Sequence, residues 1–159
     1  MCGIIGQVST SPSGSSHTAG LKAIAHRGPD ASGSTELLSG STKIWLGHSR
    51  LSILDLSSAG AQPMQSKNGR WWVSFNGELY NHLDIRTQLS VTCRGTSDTE
   101  TLVEALAAFG LENTIKKLNG MFAFAAYDSL ERRFYLVRDP FGIKPVYVHH
   151  SATCFSFSS

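Results

Sequence analysis

The chain has 159 residues, 41% of them hydrophobic and 16% charged, with a formal net charge of +2. That is one domain's length, enough to bury about 70% of the surface its unfolded chain would expose. The near-neutral balance, with no basic run beyond Lys116-Lys117 or Arg132-Arg133, excludes a nucleic-acid footprint, and no apolar stretch reaches the length of a membrane helix.

In chain order, Gly3 to Val8 reads as a buried strand that holds the N-terminus rigidly. Ser9 to Ser16, rich in Ser, Thr, Pro and Gly, reads as an exposed loop. A short helix over Leu21–His26 stops at the tight turn Arg27-Gly28-Pro29-Asp30. Strands follow near Thr35–Leu38 and Lys43–His48, joined at Ser39-Gly40-Ser41. His48 to Leu56 is extended and then turns, and Ser57 to Gly69 is a loop.

Trp71 to Phe75 is a β-prone run ending at Asn76-Gly77-Glu78. Leu79–Leu89 carries a partial 3.6-residue pattern and predicts a helix, with a short strand after it at Val91–Cys93. Ser97 and Glu100 form a capping-box signature for a helix running to Gly110, and a second helix covers Leu111–Leu118. Four strands close the chain, at Met121–Tyr127, Arg133–Val137, Val146–His149 and Cys154–Phe157. Strands come in blocks around central helices, which predicts α+β with antiparallel sheets rather than a parallel doubly wound fold. The alternating residues Cys154–Ser159 look like a strand in progress, as in a truncated or severed domain.

The three cysteines, Cys2, Cys93 and Cys154, are odd in number and have no CxxC spacing, so neither a disulfide framework nor a zinc site is expected. The six histidines show no HExxH spacing, and no metal is expected. With no secretory signal at the start, a reducing cytoplasm is the expected compartment.

Chemistry concentrates at the N-terminus. Removal of Met1 would leave Cys2 with a thiol and a free α-amine on one residue, a nucleophile beside its own base. Their ordinary pKa values, about 8.5 and about 8, make proton exchange between them inexpensive. Hydrolysis of a carboxamide also needs donors for an oxyanion. Asn76 and Gly77 at a strand end can supply a side-chain amide and an unobstructed backbone N–H, although Asn-Gly is equally a hairpin-turn signal. Arg50 is a fork suited to a carboxylate or else a surface residue, and Glu78 and Asp98 can accept from an ammonium. At the start of a helix, Asp98 can also be an ordinary N-terminal charge.

Seven strings in order, MCGIIG, HRGPDASG, HSRLSILDLSSAGAQPM, FNGELYN, SDTE, LNGMFAFAAYD and RDPFGIKPVY, closely resemble class II glutamine amidotransferase domains. HRGPD, RLSILDL and FNGELYN resemble in particular the N-terminal glutaminase domain of glutamine-dependent asparagine synthetases, and the likeness spans essentially all 159 residues. The resemblance implies a four-layer αββα sandwich of two antiparallel sheets, of the N-terminal nucleophile type. It implies Cys2 as nucleophile, Asn76 and Gly77 as oxyanion hole, and Arg50 on the glutamine carboxylate. It places Glu78 and Asp98 around the amino group, with backbone of Ile53 and Leu54 near the substrate.

The implied reaction is hydrolysis of the glutamine side-chain amide through a cysteinyl thioester, giving glutamate and ammonia for amidation of aspartate. The implied partner is a C-terminal synthetase domain using ATP and Mg, whose SGGxDS-type phosphate loop is absent from these residues. No cofactor is expected in the domain itself, and a homodimer stays open. Two other readings remain: an amidotransferase with another acceptor, such as a sugar or peptide precursor, and a non-catalytic regulatory module. Ser49, Ala61 and the short stretch Leu89–Thr96 depart from the family pattern without touching a motif residue.

Overall fold

The computed structural model describes residues 1–10 and 17–159, so most of the loop expected over Ser9–Ser16 lies outside the described residues. Its strands are β1 (Gly3–Ser9), β2 (Ala31–Ser39), β3 (Thr42–Arg50), β4 (Met64–Gln65), β5 (Trp71–Leu79), β6 (Gly120–Asp128), β7 (Arg133–Arg138), β8 (Tyr147–His150) and β9 (Cys154–Ser158). The helices are α1 (His17–Ile24), α2 (His82–Arg86), α3 (Asp98–Phe109) and α4 (Leu111–Lys117). One sheet has the order β2-β3-β1-β9-β8 and the other β4-β5-β6-β7, with antiparallel pairing throughout.

β6 shows why the sheets stack. Its side chains alternate between two apolar environments. Phe122, Phe124 and Ala126 pack with Leu102, Val103 and Leu106 of α3, while Ala123, Ala125 and Tyr127 face Ile4, Ile44, Leu46 and Phe157 of the other sheet. A strand buried on both faces reads as a continuous apolar run, as Met121–Tyr127 does. On the outer face of the five-stranded sheet, α1 lies over β1 and β3, where a Cβ on Gly20 or Gly47 would crowd Ile5. The result is the expected α+β sandwich, with α3 and α4 on one outer face and α1 on the other.

The segment between β5 and α3 differs from the sequence expectation. β5 runs on through Asn76 and Gly77 to Leu79, paired residue by residue with β6, so Asn-Gly is no turn here. The helix expected over Leu79–Leu89 shrinks to α2, because Leu79 is used in the strand core and Leu83 faces solvent. Val91–Cys93 is not a strand. Side chains supply what a ladder would have given its surroundings. The Arg86 guanidinium donates to the carbonyls of Gly95 and Ser97, and the Glu100 carboxylate accepts from the N–H groups of Arg94 and Gly95. Burial pushes the Glu100 carboxyl up, and those bonds more than offset it, holding it below the ordinary value. The capping box is therefore half formed: Ser97 Oγ accepts from Glu100 N–H, while Glu100 reaches elsewhere.

Candidate active site

A cleft of about 680 Å³, open to solvent, is lined by Cys2, Arg50, the loop after β3, Asn76 to Glu78 and Asp98. All eight residues singled out from the sequence line it: Cys2, Arg50, Ile53, Leu54, Asn76, Gly77, Glu78 and Asp98.

The β1–β3 register places Cys2. Gly3 pairs with Ser49, so Cys2 stands beside the chain as it leaves β3. The Leu51 N–H donates to Cys2 Sγ at 3.4 Å, and Sγ lies 3.5 Å from the Leu51 carbonyl oxygen. Arg27 Nε donates to the Cys2 carbonyl at 3.2 Å. The HRGPD turn is wired to the same place. A Cβ on Gly28 would collide with the Ser49 carbonyl, Asp30 N–H bonds the Arg50 carbonyl, and Asp30 Oδ2 accepts from Ser52 N–H at 2.7 Å. Met1 is exposed, and its Sδ lies 2.7 Å from Nζ of the buried Lys144 at the cleft mouth.

The edge of β5 supplies the donors. β4 pairs only with Val73 and Trp72, so beyond Val73 the odd-numbered residues of β5 have no strand on that side. Two of their N–H groups go to side chains: Phe75 donates to Gln62 Oε1 at 2.7 Å and Leu79 to Asp98 Oδ2 at 3.0 Å. The ladder alternates, so the Gly77 N–H between them points the same way, into the cleft. A Cβ on Gly77 would strike the Met121 carbonyl and come within 2.7 Å of Phe122 Cα. Asn76 is 1% exposed, and its Nδ2 has no hydrogen-bond partner among the described residues. A buried amide donor aimed into a cleft is free to serve a ligand.

Arg50 is buried, not a surface residue. Nη1 donates to the Ser57 carbonyl at 2.9 Å and Nη2 to the Asp55 carbonyl. Two of its five donors thus hold the loop, and three remain. The Asp55 carboxylate ties the loop down further, accepting from Ser57 Oγ, Ser57 N–H and Thr96 N–H, and the Ser57 hydroxyl leads in lowering its pKa to about 2. Asp98 is raised by burial, which its bond from Leu79 only partly counters. A buried carboxylate without a cation favours one arriving with a ligand. Glu78 is exposed at the rim, as are Ile53 and Leu54.

Sequence reasoning missed several residues that hold this geometry. Gln62 braces Phe75 and donates to Thr99 Oγ1. The Asp139 carboxylate gathers the N–H groups of Phe122, Phe141, Ile143 and Lys144. His48 links the two sheets beneath Asn76. Asp55, Asp139 and Lys144 lay inside strings already quoted, but a string does not tell a supporting side chain from a surface one. Among the described residues no cluster of metal-ligating side chains occurs, and no helix is long and apolar enough to cross a membrane.

Two antiparallel sheets thus stack face to face, with a cysteine at the head of an inner strand and a buried amide donor lining the same cleft. The glutamine amidotransferase domain family matches residues 1–159, and the chain belongs to it. It is 39% identical over 127 residues to asparagine synthetase [glutamine-hydrolyzing] 1 of Bacillus subtilis, covering 78% of this chain and 19% of that protein. It is 40% identical over 129 residues to amidase chyE of Penicillium rubens, covering 80% of this chain and 18% of that one. The chain thus spans under a fifth of the length of either relative. The fold matches the glutamine phosphoribosylpyrophosphate amidotransferase of B. subtilis with a TM-score of 0.81 and 21% identity, over 99% of this chain and 41% of that one.

Proposed function

We propose that this domain hydrolyses the side-chain amide of glutamine through a thioester on Cys2 and supplies ammonia to a linked synthetase domain. The observation that carries the reading is the buried, unpartnered Asn76 Nδ2 in the same cleft as Cys2. Loss of Met1 frees the Cys2 α-amine, which takes the thiol proton as Sγ attacks the amide carbon. The oxyanion is met by Asn76 Nδ2–H and Gly77 N–H, donors fixed before the reaction begins. The same amine returns its proton to the leaving nitrogen, and ammonia departs. Water, deprotonated in turn by the amine, then releases glutamate and the free thiol. Arg50 takes the α-carboxylate with its remaining donors, Asp98 and Glu78 take the α-ammonium, and backbone of Ile53 and Leu54 closes over the substrate.

The acceptor is aspartate, giving asparagine, on the strength of the likeness to the Bacillus asparagine synthetase. ATP and Mg belong to the second domain, and this one needs no cofactor. The comparable likeness to a protein named an amidase favours one other reading, the same glutamine chemistry serving another product. Glutaminase activity is tested by following glutamate release, with Cys2→Ala as control. Release that persists in Cys2→Ala overturns the mechanism. Glutamine-dependent asparagine formation by the protein carrying this domain tests the acceptor.

A further inference from the structure

His48 is fully buried between the sheets, where its Nε2 lies 3.1 Å from the Phe75 carbonyl oxygen. That carbonyl can only accept, so Nε2 carries the proton. It belongs to the peptide that joins Phe75 to Asn76, so the bond fixes the plane from which Asn76 projects. Phe75 lies on the stretch of β5 that β4 leaves unpaired, and Gln62 takes its N–H while His48 takes its carbonyl. On its far side Asn76 is held by the ladder to Ala123. His48 also sits two residues before Arg50 on β3, so both project from one face of that strand. One strand thus braces both ends of the cleft.

The other ring nitrogen argues against a packing role. His48 Nδ1 is buried without a hydrogen-bond partner among the described residues. Burying such an acceptor is unfavourable, and an apolar side chain of similar size would avoid it. What the imidazole adds is the Nε2–H. Burial, aided by the nearby Arg50 charge and only partly countered by the bond to Phe75, lowers its pKa to about 4 and keeps that single proton in place near neutral pH.

We propose that His48 is a positioning residue for the oxyanion site, its Nε2–H holding the Phe75–Asn76 peptide so that Asn76 Nδ2 meets the developing charge. This rests on the reading of Asn76 given above. The test is a double-mutant cycle between His48→Met and Asn76→Ala, reading kcat, glutamine KM and the rate of Cys2 alkylation by iodoacetamide. His48→Met should lower kcat by roughly tenfold or more, with KM and alkylation little changed, because the donor acts on charge that develops only in the transition state. His48→Gln, which keeps an amide donor, should recover most of the loss. In the Asn76→Ala background His48→Met should cost almost nothing further. Should His48→Met fail to fold, His48→Asn, too short to reach Phe75, carries the same expectations. Equal losses in both backgrounds, or KM rising and alkylation falling along with kcat, overturn the inference while leaving Asn76 in its role. An Asn76→Ala variant with full kcat removes the oxyanion reading itself, and the inference with it.

Discussion

Arg50 holds a loop and, on the proposed function, a substrate carboxylate, and a substitution should separate the two tasks. Its guanidinium holds the loop through the Ser57 and Asp55 carbonyls, and the proposed function gives its three other donors to a substrate carboxylate. Lysine has three donors on one atom at the end of a different stem and cannot serve both carbonyls and a carboxylate together. Loss of the desolvated charged contact costs ~2–5 kcal/mol, so Arg50→Lys should raise the glutamine KM by roughly 30- to several-thousand-fold. The loop bonds are a separate loss. Two hydrogen bonds from a charged donor, partly replaced by water, contribute about 2–4 kcal/mol, which lowers Tm by roughly 4–16 °C in a chain of this size. The assay pairs glutamine kinetics with alkylation of Cys2 by a small uncharged reagent, which has no carboxylate to bind. Leu51 touches Cys2 Sγ, so a looser loop should change alkylation slightly, by no more than about threefold. An unchanged KM in Arg50→Lys, or alkylation that falls in step with glutaminase activity, refutes the carboxylate role.

Asn76→Ala should lower kcat by about 10²–10³-fold with KM nearly unchanged, and a pure KM effect in steady-state kinetics moves Asn76 out of the oxyanion site. Asp98 is raised by burial in the free protein, and a bound ammonium lowers it again. Glutamine therefore prefers the ionised form, and KM measured against pH should rise as pH falls through the free-protein pKa and lose that dependence in Asp98→Asn. Asp55 is lowered from 3.8 to about 2, so its bonds contribute about 2 kcal/mol that is fully present above pH 3.8 and lost as pH falls through 2. Asp55→Asn should show that deficit by denaturant unfolding at neutral pH, and the deficit should close in acid. Intact mass should show Met1 missing from active protein, and full activity in material that retains Met1 sinks the free-amine mechanism.

The β-block order made α+β with antiparallel sheets legible, while the sandwich was implied by the family resemblance; the apolar run of β6 has its cause in a strand buried on both faces. Cys2, Arg50, Asn76, Gly77 and Asp98 were legible as types, each being a residue that amide chemistry and α-amino-acid recognition require. What stayed hidden was the support. Nothing in the spacing told Asn76-Gly77 in a strand from Asn-Gly in a turn, since the decision rests on nine paired residues of β6 more than forty positions away. Nor could local pattern show that Arg86 and Glu100 would replace a ladder between β5 and α3. His48 looked like any polar residue near the end of a strand.

These supports share one cause. A sheet edge left open to form a cleft exposes backbone groups that a neighbouring strand would otherwise satisfy. β4 ends early, and the next three odd-numbered residues of β5 must find other partners. Gln62 and His48 take Phe75, and Asp98 takes Leu79. The Gly77 N–H, between them, faces the cleft, and the proposed function gives it to the substrate. On the proposed function, the same truncation that opens the cleft for glutamine also creates the donor that its oxyanion needs.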